Sequence, residues 1–394
     1  MVSDQVMKTP IVVCGGGIAG LATALALARG GQSVALLGPK ASFAPADPEV
    51  FHPRVYAISP ASQQFLAKLG VWDMLPPERL TKVEAMEIHG DGDGLVNLNA
   101  WQGAIPELAW IVESGEIERV LSQAVQVFGV PWVTEKFASY APDVITTDQG
   151  RTMHAELFVA ADGAQSPLRA GAGISVDEKP YGVTALVAHF NCEFPHQGVA
   201  VQWFGQDGVL ALLPMPDTQA GAQVSMVWSL NDPIGKDLLA LSAQERASAL
   251  ESRLNAVTAG RLGKLTLRSA VHGFPLSLNL TPMIGEGIAL VGDAAHRLHP
   301  LAGQGLNLGL GDVQTLTDTL IQRESFRGPG DALLLRRYRR LRAEPVIAMR
   351  LVTDGLHKLF AAQATPVVWL RNAGMNLVEK LPFVKRQLIQ GASK

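Results

Sequence analysis

Residues 11–31 read IVVCGGGIAGLATALALARGG. A four-residue apolar run, long enough for a strand, leads into Gly15-x-Gly17-x-x-Gly20 and then into an alanine-rich stretch of helical character. In the dinucleotide fingerprint each glycine has its own task. The first permits the tight turn, the second lets backbone approach a pyrophosphate, and the third lets helix and strand pack closely. A glycine-rich turn that binds nothing would not need three glycines at these spacings. The chain is therefore expected to open with a Rossmann-like nucleotide-binding unit.

Two later segments are built alike. Residues 157–169, LFVAADGAQSPLR, end an apolar strand in Asp162-Gly163, with Pro167 placed to open a helix. Residues 288–310, IALVGDAAHRLHPLAGQGLNLGL, end another strand in Gly292-Asp293 and run on to a glycine-studded helix start. A strand ending in Gly-Asp delivers a carboxylate to the sheet's carboxyl edge, where open α/β sheets hold ligands. The turn at Gly303, Gln304 and Gly305 adds backbone N–H groups and a helix N-terminus, a seat for negative charge.

Together the three segments resemble the FAD-binding monooxygenases that include the p-hydroxybenzoate hydroxylases. Within that group, the PRVYAIS of residues 53–59, Leu69-Gly70-Val71-Trp72, the LALLP of 210–214, Val227-Trp228 and HPLAGQGLNLGL look like the ubiquinone-biosynthesis hydroxylases. The similarity continues through Arg371-Asn372. The resemblance implies FAD as cofactor and O2 as co-substrate, with NAD(P)H or a partner reductase as electron donor. Side chains cannot activate dioxygen; reduced flavin can, through a hydroperoxide that oxidises an electron-rich ring. No acid, base or nucleophile set is then required, and none is legible. The expected substrate is a polyprenylated phenol or quinone precursor. Two other readings stand beside it: a hydroxylase of a soluble phenol, and a non-catalytic FAD-bound scaffold in a biosynthetic complex.

By the same resemblance, Gly15, Gly17 and Gly20 surround the pyrophosphate, Arg54 lies near the flavin chain, and Asp162 and Gly163 lie near the pyrophosphate. Asp293 would bond the ribityl chain, and Pro300, Gly303, Gln304, Gly305, Leu306 and Asn307 would surround the isoalloxazine ring. Gln202, Trp203, Leu212 and Pro214 are expected to face substrate. The chain also departs from the family pattern. Gly38, followed by Pro39 and Lys40, stands where an acid usually binds the adenosine ribose. Glu113-Ser114-Gly115 replaces a common Glu-Asn-Arg, and Trp203 replaces a common arginine, a change expected to alter substrate fit more than flavin chemistry.

The expected class is α/β, with a discontinuous Rossmann-like FAD domain (1–75, 101–175 and 268–330) and an antiparallel substrate domain (76–100 and 176–267). A basic helical segment, 331–394, closes the chain. A capping box, Ser242 with Glu245, marks a helical insertion at 242–258. The length of 394 residues accommodates this, and 47% apolar against 18% charged residues argues against disorder. Two cysteines, Cys14 and Cys192, make no disulfide framework and suit a reducing cytoplasm. No secretory leader and no uninterrupted membrane-spanning run is legible.

Charge is unevenly spread. Residues 331–394 hold 12 Lys/Arg against 4 Asp/Glu, leaving the rest with 21 against 32. The cluster Arg336, Arg337, Arg339, Arg340 and Arg342 is either a solvated helix face or a docking face for the inner-membrane surface or a biosynthetic complex. Nucleic acid is not expected, since no aromatic–basic interleaving accompanies the charge. A metal is not expected either. Asp91-Gly92-Asp93-Gly94 lacks the remaining ligands of a calcium loop and reads as a hairpin turn, and His296-x-x-His299 has no third ligand at metal spacing.

Overall fold

A computed structural model describes residues 6–43, 47–205, 208–297, 305–361 and 365–393. The strand order of one sheet among them is Ile284–Gly285, Ile288–Leu290, Leu157–Ala160, Ile11–Cys14, Val34–Leu37, Trp132–Val133. All but the first are parallel to their neighbours. The three central strands and Ile288–Leu290 are buried throughout, as expected of strands covered on both faces and written as unbroken apolar runs. Register puts Cys14 beside Ala160 and Ala160 beside Leu290. Gly15, Asp162 and Asp293 therefore leave their strands at the same carboxyl edge.

The second large sheet is mostly antiparallel. Its long strand Asp177–Cys192 pairs with Gly221–Asn231 on one side and His272–Leu280 on the other. Gly208–Thr218 and Val199–Gly205 follow, and Ala85–His89 joins Val199–Gly205 in parallel. The expected return to the nucleotide-binding domain at 268 comes later. Strand His272–Leu280 belongs to this sheet, because its partner is the long strand nearly a hundred residues back. On the sheet's outer face, Leu186, Leu212 and Trp228 pack against Leu250 and Leu254 of helix Ala243–Thr258. Ser242 caps that helix reciprocally with Glu245.

The basic segment is not a mere appendage. Helix Ala332–Ala361 buries Leu335, Tyr338 and Val346 in the core of the parallel sheet, and the Tyr338 hydroxyl donates to the Leu290 carbonyl at 2.7 Å. Of the five clustered arginines, four are exposed and Arg342 is buried. Helix Thr365–Glu379 docks on the 90–94 turn: Arg371 Nε donates to Asp91 Oδ1 at 2.9 Å, and Asn372 bonds both Asp91 and the Gly94 N–H. Asp91 is thus spent on an internal ion pair rather than on a cation.

Arg342 meets a fully buried carboxylate. Asp312, on helix Gly305–Ile321, accepts from Arg342 Nε at 2.7 Å and from the Gly292 N–H at 3.0 Å. His296 Nε2 stands 2.7 Å from Oδ2, the oxygen that also accepts from the Gly292 N–H, close but off the line of a good hydrogen bond. Burial alone would raise the Asp312 pKa; His296 and Arg342 outweigh it and hold the carboxyl below its ordinary value. A depressed folded pKa stabilises the fold above the unfolded value and loses that contribution as pH falls through the folded one. Asp312→Asn is expected to cost about 3–5 kcal/mol at neutral pH, since it strands a buried guanidinium. Urea unfolding should show that penalty at pH 7 and its loss as pH falls below about 3.9. A loss under about 1 kcal/mol at pH 7 would contradict this role for the pair.

Candidate FAD and substrate site

The three strand ends surround a cavity of about 450 Å³. Gly15 has φ +126°, and a Cβ there would stand 2.2 Å from the Ala161 carbonyl oxygen. A Cβ on Gly20 would stand 1.9 Å from the Gly15 carbonyl oxygen. Any side chain at either position would push strand and helix apart. Gly17, Gly163 and Gly305 are different. All three line the cavity, and nothing lies within 4 Å of where their Cβ atoms would be. Bare backbone at the N-termini of two helices, Ile18–Arg29 and Gly305–Ile321, thus faces open space that suits a pyrophosphate and a flavin ring. Asp293 lines the same space, and its carboxylate is of the acceptor type that sugar hydroxyls require.

Arg169 fastens the motifs together. Its Nη1 donates to the Ala294 carbonyl at 2.9 Å and its Nη2 to the Ala164 carbonyl at 2.8 Å. The sequence displayed this arginine at the end of residues 157–169, but its second partner is 125 residues away. Asp162 Oδ2 accepts from the Leu168 N–H at 3.0 Å. Burial raises the Asp162 pKa, against the pull of Ser166 and that N–H. Arg54 lines the cavity, its guanidinium 4.9 Å from the Tyr56 ring centroid, and burial pushes the Tyr56 hydroxyl up to about 12.

Leu306 lines the cavity, whereas Asn307 is committed elsewhere. Its amide donates to the Ala57 carbonyl at 2.8 Å and accepts from the Ser59 N–H at 3.0 Å. Asn307 therefore clamps helix Gly305–Ile321 to strand Val55–Ile58 and does not face the cavity. Pro300, Gly303, Gln304 and His299 lie outside the described residues. At the adenosine-side corner, Gly38 has φ +146°, a conformation hostile to the usual acid, and Trp132 Nε1 donates to its carbonyl at 2.9 Å. Lys40 lies over the Trp132 ring. Glu113 is buried in a two-pronged pair with Arg79 Nε and Nη2; Nη2 also donates to the Val50 carbonyl and Nη1 to the Asp47 carbonyl. It braces the loop before Arg54.

The expected substrate residues need correction. Trp203 and Leu212 belong to the outer-face core beside helix Ala243–Thr258, and Pro214 shares the parity of Leu212. Trp203 stacks on His89 at 5.3 Å. None of the three lines the cavity, so Trp203→Arg would bury a guanidinium in a hydrophobic core rather than retune specificity. Gln202 is on the inner face, in register with Ala211, but it too is absent from the cavity wall. The wall is made by Ala185, Val187, Val227, Leu276 and Phe274 of the large sheet, with Met349 opposite on helix Ala332–Ala361. Alternation along residues 182–190 held that signal, but both faces of the strand are apolar.

Residues 8–353 match the family described as FAD binding domain. The chain belongs to this FAD-binding family. FAD is its cofactor, and the bare glycine cradle fits that group. Among relatives, ubiquinone hydroxylase UbiL of Rhodospirillum rubrum is 32% identical over 97% of this chain and 89% of its own. The 3-demethoxyubiquinol 3-hydroxylase of Escherichia coli is 32% identical over 98% of both. The structure of p-nitrophenol 4-monooxygenase from Pseudomonas putida superposes with a TM-score of 0.77 at 18% identity, covering 99% of each chain.

The glycines generate a paired prediction. Gly20→Ala should destabilise the fold itself, because its Cβ meets backbone. Gly17→Ala, at an ordinary φ of −85°, should leave the apoprotein melting temperature unchanged while weakening FAD binding at least tenfold. Apoprotein melting and FAD titration separate the two effects. Unaltered FAD affinity in Gly17→Ala would remove Gly17 from the cofactor cradle.

Proposed function

We propose that this FAD-dependent aromatic hydroxylase oxidises the ring of a polyprenylated phenol on the route to ubiquinone. One observation carries the reading beyond the cofactor. The cavity joins a backbone-lined polar end to an apolar wall of Ala185, Val187, Val227 and Leu276 that suits a prenyl-bearing ring. The names of the UbiL and 3-demethoxyubiquinol 3-hydroxylase relatives point the same way.

In this reading Gly17, Gly163 and Gly305 present backbone to FAD, Asp293 accepts from its sugar chain, and Arg54 offsets its negative charge. Gly15, Gly20, Asp162, Arg169 and Asn307 hold these elements in place. Bound FAD supplies the oxygen activation that side chains lack. The apolar sheet wall excludes water and orients the ring. A strain lacking the protein should accumulate a prenylated phenol short of one oxygen, detected by mass in lipid extracts. An unchanged quinone profile, in a strain without a second homologue, would move the reading to a soluble phenol.

A prenylated substrate must be drawn from a bilayer, and no helix among the described residues is long and apolar enough to cross one. The last three helices expose Leu351, Leu370, Leu377 and Phe383 together with Arg336, Arg337, Arg339 and Arg340. That composition fits surface attachment to anionic lipid. Flotation with anionic vesicles should recover the protein, and Leu377→Asp/Phe383→Asp should release it. Equal recovery on neutral vesicles would discard electrostatic docking.

A further inference from the structure

Buried polar groups are almost always hydrogen-bonded, so partnerless ones ask for an explanation. Three lie in adjacent rows on the inner face of the large sheet: His189 Nδ1, Ser225 Oγ and Gln223 Oε1. All three residues are buried. His189 is in register with Ser225, and Asn191 with Gln223. The next pair on the same face is Val187 with Val227, and both of those line the cavity. The other partnerless buried atoms among the described residues are scattered over separate elements.

The chemistry of the row is complementary. His189 Nε2 is 3.0 Å from the His52 carbonyl, which can only accept. The ring proton therefore sits on Nε2, and Nδ1 is a bare acceptor in need of a donor. Burial also lowers the His189 pKa, which favours this neutral form. Ser225 brings an O–H in need of an acceptor. One group satisfies both at once: a hydroxyl, which donates and accepts.

We propose that His189 and Ser225 form the subsite that recognises the ring hydroxyl of the phenolic substrate, the hydroxyl donating to His189 Nδ1 and accepting from Ser225 Oγ. Segment 51–55 roofs the row. Phe51 and Val55 pack with Leu213, the same-face neighbour of Ser225, and His52 tethers the roof to the imidazole itself. His189 and Ser225 lie one row beyond the cavity wall, so the ring hydroxyl would pass the Val187–Val227 pair to reach them, with the prenyl chain trailing along the apolar wall. Gln223 is not needed for the pair; its amide nitrogen already donates to the Pro216 carbonyl.

The inference rests on the phenol reading, and the test separates the two. Geranylphenol and geranylbenzene, which lacks only the hydroxyl, are titrated into oxidised holoenzyme in detergent, with binding read from the flavin absorption band. Wild type should prefer the phenol at least tenfold. His189→Phe, and independently Ser225→Ala should the first variant fold poorly, should bring the two ligands within threefold of each other at unchanged FAD content. Wild-type discrimination retained in the variants means that the row holds a structural water only, and overturns the subsite. Failure of wild type to bind either ligand overturns the phenol reading and the subsite with it.

Discussion

Backbone meets backbone where Gly15, Gly20 and Ala161 come together, with no room for a single methyl group. That approach sets the distance between the first helix and its strand, and it fixes the line along which the second and third motifs emerge. Because Ile11–Cys14, Leu157–Ala160 and Ile288–Leu290 are in register, three motifs far apart in the chain share one edge. The cofactor cradle is a consequence: helix N-termini and unencumbered glycine backbone end up on the same side. Arg169 and Asn307 then lock neighbouring loops to that edge through backbone carbonyls, contacts that bulkier or apolar side chains could not make.

A second constraint is electrostatic. Asp312 is fully buried, so its charge requires partners inside the protein. Arg342 reaches it from a helix that begins as the most basic stretch of the chain, and His296 reaches it from the loop that carries Asp293. One carboxylate thus joins the Gly292 turn, the helix behind the flavin seat and the helix whose Met349 lines the cavity. Removing Asp312 would leave the buried Arg342 guanidinium uncompensated, a more serious loss than a surface ion pair. The same helix presents its other arginines to solvent. Its sequence serves two environments, and only the burial of Arg342 against Asp312 separates them.

Legibility follows the same division. Each of the strand–glycine–helix motifs is contiguous, so its local geometry can be read from residue order. The capping box at Ser242 is equally local. What failed was non-local. Strand His272–Leu280 joins the large sheet through a partner a hundred residues away, and no residue near 268 announces it. Trp203, Leu212 and Pro214 sit on the face packed against helix Ala243–Thr258, away from the cavity. Side chains alternate along a strand, but a strand packed on both sides has apolar residues at every position, so alternation does not say which face holds substrate. Asp312 is one of two acids in helix Gly305–Ile321, and nothing in residue order sets it apart from Asp318 or names its partners. Asn307 has the composition of a cofactor contact and the geometry of a clamp.

In the proposed reaction, oxygen from air enters an aromatic ring under control of this cavity. Its most direct test is turnover of purified holoenzyme with a prenylated phenol and a reductant under ¹⁸O₂, with the product weighed by mass spectrometry. One ¹⁸O atom in a new ring hydroxyl is the predicted result. Reductant consumed with all label in hydrogen peroxide, or a hydroxyl drawn from water, would contradict it.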